Sequence, residues 1–160
     1  MIKIGRRLIL FFGVLFLLFA LFAICSLAGD FFTLITPEEA AQPDAPMIRT
    51  KGIKLTRIEG DGPQIKMLSP NLEEPLRIPF LVDIAFEASS DKIIDYDSLS
   101  VKYLKLVSIN LTGKIKPYLK NNRLMVKDVK VPQGKHCLQL FIAYTSGEKT
   151  MMEIVLIVEK

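Results

Sequence analysis

Residues 8–29 read LILFFGVLFLLFALFAICSLAG, 22 consecutive positions without a charge. As a helix rising 1.5 Å per residue this run reaches about 33 Å, enough for a hydrocarbon core of roughly 30 Å. Fifteen of the 22 are Leu, Ile, Val or Phe. At about −0.3 to −0.6 kcal/mol each they favour insertion by roughly 4–9 kcal/mol. A buried helix in a soluble chain of this size has no use for apolarity on every face. Residues 1–29 are therefore expected to be a transmembrane anchor, with the lipid bilayer as partner through residues 8–29. The competing reading is a cleaved signal peptide. Its apolar core usually runs about 7–15 residues, whereas Leu8 to Ile24 is 17, although Ser26-Leu27-Ala28 would permit cleavage before Gly29.

The flanks give an orientation. Lys3, Arg6 and Arg7 precede the run, while residues 30–49 hold Asp30, Glu38, Glu39 and Asp44 against Arg49 alone. Positive charge stays inside, so the N-terminus is expected in the cytoplasm and the remainder outside. Cys25 follows Ile24 rather than a small residue, which argues against a lipidation signal. The same flanks explain the net charge: +4 divides into +3 for residues 1–29 and +1 beyond. A basic terminus beside a nearly neutral body is not the pattern of a nucleic-acid binder. With one His and two Cys, a Cys- or His-rich metal cage and a disulfide scaffold are excluded.

Residues 30–63 read as a linker. Pro37, Pro43, Pro46 and Pro63, with Gly52, Gly60 and Gly62, interrupt regular structure. Phe31, Phe32, Leu34 and Ile35 suit the membrane interface, and Ile53, Leu55 and Ile58 suit at most an edge strand.

From Gln64 the apolar period becomes two. Short strands are expected at 65–68, at Ile78 to Glu87 with Phe80, Val82, Ile84 and Phe86 on one face and Asp83 and Glu87 on the other, at 100–106 and at 124–131. Two longer ones follow, Cys137 to Thr145 and Met151 to Val158, facing inward through Leu138, Leu140, Ile142 and Tyr144 and through Met152, Ile154, Leu156 and Val158. Residues 88–96 read as a polar loop, Asp95 to Leu99 as a turn, and Leu111 to Leu119 as a helical turn limited by Pro117. About seven short strands separated by turn residues predict an all-β fold, an antiparallel β-sandwich over residues 64–160.

Certain turns also carry a resemblance. Ser69-Pro70 closes the opening strand, Ile84 to Phe86 lies in the next, Asp95 to Leu99 leads into Val101 and Tyr103, and Pro132 to His136 precedes the penultimate strand. In these features residues 64–160 resemble the bacterial Ig-like, fibronectin-like sandwich domains of cell-envelope proteins. The resemblance implies an Ig-like fold, a bacterial inner-membrane location with a periplasmic body, and no catalytic residue or cofactor.

Other constellations are weak. His136, Cys137, Met67, Met151 and Met152 contain copper-ligand types but only one His. Asp83, Glu87, Asp91, Asp95 and Asp97 are acidic without an EF-hand spacing. Asn110-Leu111-Thr112 is a glycosylation sequon relevant only to a eukaryotic secretory route. Residues 83–97 carry net −4, and residues 114–135 carry net +6. The basic segment is the candidate partner-facing surface, through Lys114, Lys116, Lys120, Arg123, Lys127 and Lys130. The leading expectation is a non-catalytic, membrane-anchored extracytoplasmic protein that binds or positions a protein partner. The rivals are an accessory single-helix subunit of a larger membrane complex and a cleaved periplasmic carrier of a metal or small ligand.

Overall fold

The structure, a computed structural model of the chain, describes residues 31–45, 56–89 and 91–159. The expected membrane segment 8–29, Cys25 and the linker positions 46–55 lie outside the described residues. Among the described residues no helix is long and apolar enough to cross a membrane.

Residues Phe31–Lys160 form one compact unit. Its strands in chain order are β1 Phe32–Thr33, β2 Thr56–Gly60, β3 Gln64–Ser69, β4 Leu76–Arg77, β5 Phe80–Glu87, β6 Ile94–Tyr103, β7 Ile109–Asn110, β8 Leu119–Lys120, β9 Arg123–Lys130, β10 Gly134–Tyr144 and β11 Lys149–Glu159. They make two sheets: β1-β9-β5-β3 with β8 also on β9, and β2-β11-β10-β6-β7 with β4 also on β11. Pairing is antiparallel except for β1 with β9 and β4 with β11. The result is an all-β, sandwich-like architecture.

The period-two pattern does the folding work. On β10 and β11, Leu138, Leu140 and Ile142 and Met152, Ile154 and Leu156 are buried, with Leu140 opposite Met152 and Leu138 opposite Ile154. The first sheet answers with Ile84 and Phe86 on β5 and Leu124, Val126 and Val129 on β9, and both sets belong to one hydrophobic core. Each such aliphatic side chain contributes roughly 1.5–3 kcal/mol on burial. Gly147, at φ +101°, turns the β10–β11 hairpin in a conformation that side chains resist. β2 lies so close to β11 that a Cβ on Gly60 would stand 2.1 Å from the Lys149 carbonyl oxygen.

Four readings of the sequence need correction. The segment 30–63 is not a tether throughout. Thr33 leads into Leu34 and Ile35, which are 5% and 0% exposed, and into helix α1, Pro37–Ala40. Leu34 and Ile35 are thus core residues rather than membrane-interface ones. The helix is capped reciprocally: Glu39 N–H donates to Thr36 Oγ1, and Thr36 N–H donates to the Glu39 carboxylate, with Pro37 in the first turn. β2, from the same segment, is the edge strand that Ile58 suited, paired with β11 at the end of the second sheet. Second, Ile94 and the Asp95–Leu99 stretch lie inside β6. The expected turn is a bulge against Phe141–Ala143, in which Asp97 N–H donates to Asp95 Oδ1 and Ala143 N–H donates to Ser98 Oγ. Third, the strand expected at 100–106 ends at Tyr103, and Lys105 is drawn inward. Its ammonium donates to the Ala40 carbonyl at 2.8 Å and to Asp44 at 2.6 Å. Fourth, Asp83 is 5% exposed rather than solvated.

Candidate functional site

The short helical stretch expected between Leu111 and Leu119 is present: helix α2, Thr112–Ile115, continues as a 3-10 turn, Lys116–Tyr118. The Thr112 hydroxyl caps this connection by accepting from Val101 N–H, while Asn110 Oδ1 accepts from Thr112 N–H. The sequon side chains thus serve local structure. Leu111 and Ile115 anchor the connection in the core, and it leads into β8 on β9, the strand that carries Arg123, Lys127 and Lys130.

The six basic candidates do not act alike. Lys114 reaches back to the N-terminal segment, donating to Glu39 at 2.9 Å and to the Leu34 carbonyl at 3.1 Å. Burial opposes charge on Glu39, but the Thr36 N–H and the Lys114 ammonium prevail and hold its pKa below the usual carboxylate range. Lys116 pairs with Asp97 at 2.7 Å in an exposed setting, lowering the Asp97 pKa. Arg123 grips Asp83 with two hydrogen bonds, Nε to Oδ1 at 2.6 Å and Nη2 to Oδ2. The guanidinium holds that carboxyl below its ordinary range despite burial. These three cations are thus ion-paired within the described residues. Lys130 lies over the Phe31 ring, its Nζ 3.3 Å from the centroid. Lys120 and Lys127 are exposed and form no ion pair among the described residues. Sequence reading missed Phe31 as a neighbour of this segment, because nothing in a linker-like stretch announces a parallel edge strand.

The copper-type residues do not converge. His136 is 3% exposed. Its Nε2–H donates to the Pro132 carbonyl and its Nδ1 accepts from the Tyr103 hydroxyl, both at 2.8 Å. Both ring nitrogens are thus engaged, and burial lowers the pKa of the ring. Cys137 faces the other side of β10, and burial raises the pKa of its thiol, the opposite of what a reactive cysteine needs. Met152 is core, and Met151 faces the opposite side of β11. The acidic constellation is likewise dispersed: Glu87 pairs with Lys66 at 2.6 Å, and Asp83 and Asp97 are engaged as above. Among the described residues no group of three or more His, Cys, Asp or Glu is placed to hold a metal. A cleft of about 420 Å³ opens between β2 and β3, lined by Gly60, Gly62, Gln64, Ser89 and Tyr144 among others. In its wall Ser89 N–H donates to the Tyr144 hydroxyl at 2.9 Å.

The exposed candidates among the described residues gather on a surface, the edge of the first sheet where β1 and β8 flank β9. Comparison with protein-family models, curated proteins and solved structures finds no match to this chain.

Proposed function

We propose that this protein is a non-catalytic Ig-like module, held in a bacterial inner membrane by residues 8–29, whose body faces the periplasm and binds or positions a protein partner. The observation that carries the reading is a spacing: the uncharged run ends at Gly29, and the first strand begins at Phe32. The Ig-like assignment draws on topology. The order β3-β5-β9 in one sheet and β6-β10-β11 in the other has the connectivity of the A-B-E and C-F-G strands of an immunoglobulin sandwich. β1 stands beside β9, where a D strand would pair. A binding role fits a surface that keeps exposed cations beside aromatic side chains and a core whose polar groups are spent on structure. No buried side-chain nitrogen or oxygen among the described residues lacks a hydrogen-bond partner.

The test is fractionation of the full chain expressed in bacteria. Carbonate-washed membranes should retain it at its full mass, and protease added to the outer side of sealed spheroplasts should digest the body. A mature chain beginning at Gly29, released with the soluble periplasmic fraction, would sink the anchor. In mild detergent, migration as part of a larger integral complex would identify the accessory-subunit form of the same role.

A further inference from the structure

We propose that the β1–β8–β9 edge of the sandwich lies against the anionic phospholipid headgroups of the leaflet from which the chain emerges. This deepens the reading above and rests on residues 8–29 being a membrane anchor. Three observations converge on that edge.

The first is chain length. Gly29 and Phe32 are three residue steps apart, and an extended chain covers at most about 3.3–3.6 Å per residue. The chain between Gly29 and the start of β1 can thus span at most roughly 11 Å, against a headgroup layer about 5–8 Å deep. Phe32 and Thr33 are fixed to Val129 and Lys130, so the constraint passes directly to β9.

The second is the chemistry of the edge. Phe31 is 45% exposed beside Lys130, and Tyr118 is 40% exposed and packs edge-on against Phe32 at 5.1 Å between centroids. Aromatic rings with neighbouring lysines are the side chains that partition to membrane interfaces, the ring at the acyl boundary and the ammonium among the phosphates. The third is charge. Internal ion pairs occupy Lys114, Lys116 and Arg123. Lys120 and Lys127, with Lys130 on its ring, are left to meet external anions against Asp128 alone, the acid standing among them in sequence. β3 stands at the opposite end of the first sheet's strand order from β1, and Asp61 lies just before it in the chain.

The experiment uses the full chain with Cys25→Ser and Cys137→Ala, reconstituted in phosphatidylcholine vesicles with and without phosphatidylglycerol. A nitroxide is placed by Lys120→Cys, by Lys127→Cys, or on the far edge by Asp61→Cys. Its collision with a nickel chelate carried on lipid headgroups is then measured. All three positions are exposed, so labelling should leave the fold intact. Labels at 120 and 127 should collide several-fold more often than the label at 61, and omitting phosphatidylglycerol should reduce that contrast. Equal collision at all three sites in a chain that resists carbonate extraction overturns this proposal alone. A contrast indifferent to phosphatidylglycerol also overturns it. Release of the chain by carbonate overturns the anchor and this proposal together.

Discussion

Asp83 shows how a single residue changes meaning between sequence and structure. Alternation along β5 puts it on the outer face, as expected, yet it is 5% exposed because the Arg123 guanidinium covers it. A carboxylate so placed keeps its charge only while its partner stays. Arg123→Met should therefore lower the urea midpoint of a 31–160 body, and Asp83→Leu added to it should restore much of the loss, since two apolar groups need no pairing. A midpoint unmoved by Arg123→Met would mean that water reaches the carboxylate. The same pairing shows what the basic run did not reveal about Arg123, its bond to Asp83 on the next strand. A basic residue in a run of basic residues looks unpaired until the diagonal neighbour on the next strand is known.

At the level of elements, legibility follows locality. The inward faces of β5, β10 and β11 could be read because a period of two over eight to eleven residues is a strong signal. Helix α1 was written locally too, in Thr36-Pro37-Glu38-Glu39, but the surrounding prolines masked a single capped turn. What could not be read was non-local: β1 finding β9 in parallel, Ile35 finding the core, and β6 absorbing three extra residues as a bulge. The candidate surface was legible as a charge run, not as an edge shared with Phe31. If residues 31–40 belong to the body, Ile35→Ala should destabilise it by about 2–5 kcal/mol, of the same order as the roughly 3–5 kcal/mol expected for Phe86→Ala. A loss of a few tenths in urea unfolding would detach that segment from the core.

On the scale of the whole molecule, the fold folds its charge asymmetry back on itself. The acidic stretch 83–97 and the basic stretch 114–135 are joined by Asp83–Arg123 and Asp97–Lys116, and Glu39–Lys114 ties in the N-terminal segment. The pairs make stability depend on pH in a determined order. His136 acts first on acidification. Its folded pKa is depressed by burial, so its contribution is present above the unfolded value of about 6.5 and is lost as pH falls toward the folded pKa. While only the unfolded chain takes up that proton, stability should fall by up to about 1.4 kcal/mol per pH unit. The carboxylates follow. Asp83, Asp97 and Glu39 are held low by their cations and hydrogen bonds, and Glu148 is held at about 2 by Lys92 and Ser146. Their contributions are present above the unfolded carboxyl values of about 4 and disappear below them. Urea midpoints of the 31–160 body measured across this range should therefore decline in two stages. His136→Gln should lower stability at neutral pH and flatten the first stage while leaving the second, and Lys116→Met should soften the second alone. A midpoint constant down to the carboxyl range would show that the imidazole protonates as readily in the folded protein as in the unfolded one, and a first stage that survives His136→Gln would assign that stage to another group.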